Sequence, residues 1–178
     1  MSDKNHRIPP LLLVRLALLA ALSAVLKLAQ IPVGNDFLRI SFENLPLLLA
    51  GYLFGAAAGG AVGVCGDLIG CLLRGYAVNP IITLGAGLVG VAAGLFGKRG
   101  VTAKPRLWLS VAAAHVVGSL IVKSFGIWLY FATPLPELAL RIPTYILPGA
   151  AEYVILTLIL KNKALSALLE KVLLIPRH

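Results

Sequence analysis

Long apolar runs separated by short polar segments dominate the chain. They cover about residues 10–29, 44–97, 107–131 and 142–160, and a helix that crosses a membrane needs roughly 17–25 such residues. The first run follows Lys4 and Arg7, as the apolar part of a signal peptide would, but it is long and shows no clear cleavage pattern before Lys27. We therefore interpret the first run as a membrane span.

The run from 44 to 97 is long enough for either two or three spans, and the basic residues decide between them. Lys and Arg precede the first run, fill the 98–106 connection and recur in the tail, so the positive-inside rule places these three segments in the cytoplasm. The 30–43 loop follows one crossing and lies outside. The chain must then cross an odd number of times before 98, and three crossings fit.

The predicted fold is therefore an all-α integral membrane protein, a compact bundle of six transmembrane helices with both termini cytoplasmic. We expect a single domain over 1–178 in a bacterial plasma membrane, with a cytoplasmic tail at 161–178. The predicted helices cover about residues 10–29, 42–55, 57–73, 79–97, 107–131 and 142–160.

Composition supports this fold class, because 59% of the residues are hydrophobic, 13% are charged and the mean hydropathy is +0.92. A soluble domain carries about 25% charged residues. The net charge of +9 is explained by its distribution between the two sides of the membrane, and no basic stripe interleaved with aromatic residues indicates nucleic acid. Cys65 and Cys71 fit neither a zinc site nor a redox pair and are expected to be packing residues.

One carboxylate interrupts the glycine-rich stretch "GGAVGVCGDLIG" of the third predicted helix. Gly55, Gly59 and Gly63 recur every four residues, and Asp67 occupies the next position of this stripe. Small residues at this spacing let helices approach closely in lipid, which predicts a buried face. A carboxylate in the middle of a bilayer costs at least ~2.5 kcal/mol and is normally paired or functional. Asp67 is therefore either a structural ion-pair partner of Lys123 or a ligand contact.

Other polar residues gather towards the predicted outer end of the bundle, where the second, fourth and sixth helices begin. Positive helix ends beside basic side chains favour an anionic ligand that also has hydrogen-bonding edges. The 30–43 loop is a candidate lid, His115 is expected to be an interior histidine, and the role of Glu152 is left open. The candidate substrate-binding residues are Asp67, Arg74, Asn79, Thr83, Lys123, Arg141 and Tyr145.

The chain carries no phosphate-binding G-x-x-x-x-G-K-[ST] loop, no hydrolase motif and no pattern that indicates a metal or a cofactor. For a small membrane protein with a ligand cavity and no energy source, we expect a partner that supplies the energy for transport. In the first helix, Ala17 with Ala21 and Ala20 with Ala24 form small-x3-small pairs that permit close contact with another helix. They are candidate partner-coupling residues, and internal packing is the alternative.

The segments "RLALLAALSAVLK", "LRISFENLPLLLAGYLFGAAAGGAVGVCGDLIGCLL" and "NPIITLGAGLVGVAAGLFG" resemble the S components of energy-coupling-factor (ECF) vitamin transporters, and are most similar to the folate group. The resemblance covers about residues 12–97 well and the rest more loosely. It implies six helices, an extracellular vitamin site closed by the first outer loop, and no enzymatic activity. It also implies a coupling transmembrane subunit that contacts Ala17 and Ala21, driven by two cytoplasmic ATPases.

The expected function is that of a substrate-capture subunit of an ECF-type importer for folate or a related pterin. The segment "RGYAVNPIITLG" after the third helix departs from the longer, aromatic-rich loop common in the folate group, so an S component for another vitamin or precursor is one alternative. A proton-coupled carrier that uses Asp67, His115 and Glu152 as a relay is the other. An integral membrane enzyme is disfavoured, since no catalytic constellation is present.

Overall fold

A computed structural model of the chain describes residues 9–33, 35–96 and 107–164, which are mostly helical. Seven helices and two strands follow one another in this part of the chain. They are α1 Pro10–Leu28, β1 Ile31–Val33, β2 Asn35–Ile40, α2 Asn44–Phe54, α3 Ala56–Arg74, α4 Pro80–Phe96, α5 Leu107–Phe131, α6 Leu135–Ala139 and α7 Arg141–Lys161.

The six long helices begin and end within two residues of the six that hydropathy predicts. Within the described residues, four helical segments are long and apolar enough to cross a membrane: α1, α3, α5 and the α6–α7 pair. The other two, α2 with 11 residues and α4 with 17, are apolar but shorter. The basic segment 98–106, Lys4, Arg7 and most of the tail lie outside the described residues. Six crossings and cytoplasmic termini therefore stay predictions.

The first loop contains an antiparallel hairpin that the all-α prediction misses. Strand β1 pairs with β2 so that Ile31 lies opposite Ile40 and Pro32 opposite Arg39, and the hairpin contacts α7. The alternating "DFLRI" pattern is short, and a two-stranded hairpin is marginal on its own in water. It is stable here because it lies against the helical bundle. The candidate lid is thus an ordered two-stranded element.

Glycine lets the central helices touch backbone to backbone. Helix α4 lies between α2, α3 and α5, and a Cβ atom at Gly90 would overlap the backbone of Gly59 in α3. Gly63 meets the backbone of Ala86 in the same way. The predicted stripe on α3 is therefore a packing face that also carries Asp67, which is buried. Gly55 is not part of it, because it forms the turn between α2 and α3 with a φ of 94°.

Large apolar side chains cover the outside of α1, α5 and α7, where a soluble protein would expose polar groups. On α1 the two alanine pairs lie on different faces. Ala17 and Ala21 are exposed, whereas Ala20 and Ala24 are buried at 4% and 1% exposure. The prediction that Ala20 and Ala24 contact a partner is therefore wrong, because these two residues pack inside the bundle.

Candidate functional site

One end of the bundle contains a cavity of about 390 Å³. Helices α1, α3 and α5 end there, while α2, α4 and α7 begin there, and the hairpin forms part of the wall. The cavity is lined by Lys27, Gln30, Arg39, Ser41, Glu43, Asn44, Asp67, Cys71, Tyr76, Ala77, Asn79, Ile82, Lys123, Ile127, Phe131, Arg141, Thr144, Tyr145 and Pro148.

A buried ion pair lies on the α1–α3 side of the cavity. The Nζ atom of Lys27 donates to Oδ1 of Asp67 at 2.5 Å and to Sγ of Cys71 at 3.2 Å. The hydroxyl of Thr83, from α4, donates to the other oxygen of Asp67 at 2.6 Å. Asp67 therefore links three helices, and its partner is Lys27. The expected pairing with Lys123 is wrong, because α1 packs on the Gly66–Gly70 side of α3 and brings Lys27 to the carboxylate.

A second, partly buried ion pair lies where α2 begins. Nζ of Lys123 donates to Oε1 of Glu43 at 2.9 Å and lies 3.5 Å from Oδ1 of Asn44. The hydroxyl of Ser23 on α1 donates to the backbone carbonyl of Glu43 at 2.8 Å, which fixes this start of α2 against α1. Lys123 directly follows a π-helical stretch of α5, His115–Val122. Such wide turns are rare and are frequently found at functional sites.

Aromatic side chains and arginines surround the mouth of the cavity. The ring of Tyr76 lies 5.0 Å from the guanidinium carbon of Arg39 and 5.5 Å from that of Arg74. Arg74 also donates to the Tyr76 hydroxyl at 2.8 Å, which lowers the pKa of the Tyr76 phenol. On the opposite side, Arg141 donates to the hydroxyl of Tyr145 at 2.9 Å, with its guanidinium carbon 5.1 Å from that ring.

Asn79 combines a structural and an unsatisfied polar group. Its Oδ1 accepts from the backbone N–H groups of Ile81 and Ile82 at 3.0 and 3.2 Å, so it caps the N-terminus of α4. The side chain is 7% exposed and lines the cavity. Its Nδ2 has no hydrogen-bond partner within the part of the chain that the structure describes.

Five of the seven predicted substrate-binding residues line this cavity. Thr83 lies outside its lining and supports Asp67, while Arg74 donates to the backbone carbonyl of Leu28 at 2.7 Å and braces the rim through Tyr76. The five residues that the cavity brings together are Asp67, Asn79, Lys123, Arg141 and Tyr145.

Lys27, Arg39 and Glu43 are the charged lining residues that sequence reasoning missed. Lys27 could have been predicted from the sequence, because it belongs to a polar stripe on an otherwise apolar helix. The stripe consists of Arg15, Ser23 and Lys27, which are spaced by eight and four residues. All three are buried. Arg39 could not have been predicted from the sequence, since its place in the cavity wall depends on the fold of the hairpin.

His115 and Glu152 form a separate buried pair between α5 and α7. Nε2 of His115 lies 2.7 Å from Oε2 of Glu152, and neither residue lines the cavity. His115 is thus an interior histidine, as expected. Because this pair hydrogen-bonds within itself and Asp67 hydrogen-bonds to Lys27 and Thr83, the structure gives no contact that joins the three groups into the relay of a proton-coupled carrier.

Residues 10–166 match the profile of the ECF-type riboflavin transporter S component. The chain belongs to this family. It is thus a vitamin-binding membrane subunit of a transporter and not an enzyme.

Two solved structures share the fold of this S component. A crystal structure of FolT bound with folic acid matches with a TM-score of 0.68 and 24% identity, over 82% of this chain and 90% of that one. A structure of the S component of a bacterial ECF transporter matches with a TM-score of 0.62 and 23% identity, over 86% and 95% of the two chains. A search of curated proteins gives no match.

Proposed function

We propose that this S component captures folate or a related pterin from outside a bacterial plasma membrane. All six long helices lie in the membrane, both termini are cytoplasmic, and the cavity opens outward beneath the hairpin. Cargo then passes inward through a coupling transmembrane subunit that two cytoplasmic ATPases drive.

The observation that carries the choice of ligand is the charge of the cavity. Four basic residues and two acidic residues line it, which leaves a net charge of +2 in a largely buried site. A cleft with a net positive charge attracts an anionic ligand. Folate carries two carboxylates, whereas riboflavin is uncharged. The four basic residues are Lys27, Arg39, Lys123 and Arg141.

Size and shape are compatible with this ligand class. A volume of about 390 Å³ lies in the range of cavities that enclose small molecules, roughly 300–1,000 Å³. Tyr76, Phe131 and Tyr145 offer aromatic surfaces for a flat ring system. The folic acid in the FolT structure supports the proposal, and the name of the matching family makes riboflavin the second candidate.

The exposed face of α1 supports the proposed coupling. Ala17 and Ala21 lie one turn apart on the outside of the bundle, where a helix of another subunit can approach closely. The chain has no phosphate-binding loop, and in this proposal a partner supplies the energy for release.

Calorimetric titration of the purified protein in detergent tests the ligand. Folic acid is titrated in parallel with riboflavin, thiamine and biotin, without any partner or ATP. We expect saturable binding of folic acid and weak or no binding of the others. Selective binding of riboflavin would refute the charge argument, and binding of none would refute the proposed ligand class.

A further inference from the structure

The cavity contains one polar group whose function within the fold is incomplete. Asn79 is 93% buried and its carbonyl oxygen is occupied by the capping hydrogen bonds to α4. Its amide nitrogen has two N–H groups, and neither meets an acceptor in the described part of the chain. Leaving such a donor unsatisfied in a buried site destabilises a protein by about as much as a lost hydrogen bond.

The capping bonds also fix the orientation of the amide. Only the oxygen can accept from the backbone N–H groups of Ile81 and Ile82, so the nitrogen is the half of the amide without a partner, on a side chain that lines the cavity. Asn79 therefore offers a ligand donors only. It recognises an acceptor and discriminates against a donor.

The carboxylate of Asp67 is an acceptor that meets α4 about one helical turn beyond Asn79. Thr83 follows Asn79 by four residues on α4 and donates to Oδ2 of Asp67. Each carboxylate oxygen has two lone pairs, so Asp67 retains acceptor capacity beside its contacts with Thr83 and Lys27. The cavity lining thus includes an amide donor and, about one helical turn further along α4, a carboxylate acceptor. A ligand edge in which a carbonyl adjoins an N–H group, which is a lactam, offers the complementary pair of groups.

We propose that Asn79 is a specificity-determining residue that donates to the carbonyl oxygen of a lactam edge, while Asp67 accepts from the adjacent N–H. This inference rests on the proposed function and names the part of the ligand that is read. The pterin ring of folate has such an edge, and so has the flavin ring. Asn79 thus selects the ring edge, and the positive charge of the cavity selects the carboxylates.

Two substitutions separate recognition from capping. Asn79→Asp and Asn79→Ser both keep an oxygen that can cap α4, since Asp and Ser are as favourable as Asn at this position. Both remove the amide donor. Aminopterin is the comparison ligand, because an amino group replaces the pterin carbonyl and the adjacent ring nitrogen loses its hydrogen, so that donor and acceptor exchange places along the edge.

The experiment measures the affinities of folic acid, aminopterin and riboflavin for the wild-type protein and both variants, together with their melting temperatures. We expect wild type to prefer folic acid to aminopterin. We expect each variant to lose on the order of tenfold in folic acid affinity with a melting temperature no lower than that of wild type, and to narrow the preference for folic acid over aminopterin. Asn162→Asp is the control, because that amide oxygen also accepts from a backbone N–H, at 3.0 Å, but lies outside the cavity.

The outcomes are distinguishable. Variants that bind folic acid like wild type, or an unchanged preference between the two ligands in Asn79→Asp, would overturn the role of Asn79. If wild type binds riboflavin and not folic acid, the proposed substrate is wrong, and a tenfold loss of riboflavin affinity in Asn79→Ser would still support lactam recognition. Binding of none of these ligands would overturn both proposals.

Discussion

The buried pair of Lys27 and Asp67 allows the structural and the ligand-binding roles of Asp67 to be separated. The two side chains are 10% and 3% exposed and lie 2.5 Å apart. Removal of one partner leaves an uncompensated charge in the bundle, which typically costs 3–5 kcal/mol. In Asp67→Asn the amide oxygen still accepts from Thr83, but Lys27 loses its hydrogen-bonded carboxylate and keeps its 3.2 Å contact with Cys71. We therefore expect Asp67→Asn to lose about 3 kcal/mol of stability.

Replacement of both partners should reverse most of this loss. Lys27→Met fills a similar volume without a charge, and a buried ion pair replaced by neutral groups is often neutral or stabilising. The assay is a double-mutant cycle, in which unfolding in detergent is monitored by circular dichroism. We expect a coupling energy of about 2–3 kcal/mol. Single losses below about 0.5 kcal/mol that simply add would refute this reasoning, because they would place the pair in contact with water.

Ligand binding in the same double variant decides the second role. If Asp67 accepts from the ligand, Lys27→Met with Asp67→Asn should be stable and still bind folic acid at least tenfold more weakly than wild type. If the double variant binds like wild type, Asp67 serves the fold alone.

Three further predictions concern packing, ligand charge and coupling. Gly90→Ala should cost about 1–3 kcal/mol because its methyl group overlaps the α3 backbone, whereas Gly87→Ala, which meets a side chain, should stay within about 1 kcal/mol of wild type in the same unfolding assay. Arg141→Ala should weaken folic acid binding by about 1–3 kcal/mol in calorimetry, and an unchanged affinity would place the carboxylates elsewhere. Leucine at Ala17 and Ala21 should abolish ATP-dependent uptake in cells with the full transporter and leave binding intact, whereas lost binding would assign both alanines to internal packing.

The helices could be predicted from sequence because lipid imposes a length and an apolar composition on each span. The burial of Asp67 also followed, since a stripe of glycine marks a face where helices meet. Its partner did not follow. Any basic residue at the correct depth was a candidate, and only the packing of α1 beside Gly66 and Gly70 brings Lys27 to it.

The hairpin and the π-helical stretch were beyond sequence reasoning for a related cause. Strands β1 and β2 are too short to be stable without the bundle against which they lie. The wide turn His115–Val122 is a tertiary adjustment, because Gly118 approaches the α4 backbone closely and Lys123 must reach Glu43. The local helix and strand propensities of the sequence therefore predict neither the hairpin nor the π-helical stretch.

The shortness of α2 explains why this bundle has a cavity at all. With 11 residues it is about 16 Å long, roughly half the thickness of the hydrocarbon core. Its first residues therefore lie at the depth of the buried Lys123, and the chain before them turns back as the hairpin instead of continuing as a helix. The space beyond the N-terminal end of α2 is enclosed by the ends of five other helices. Each of these ends contributes a polar or charged group. A helix that crossed the whole bundle would fill this space with apolar side chains, so we interpret the truncation of α2 as the structural origin of the binding site.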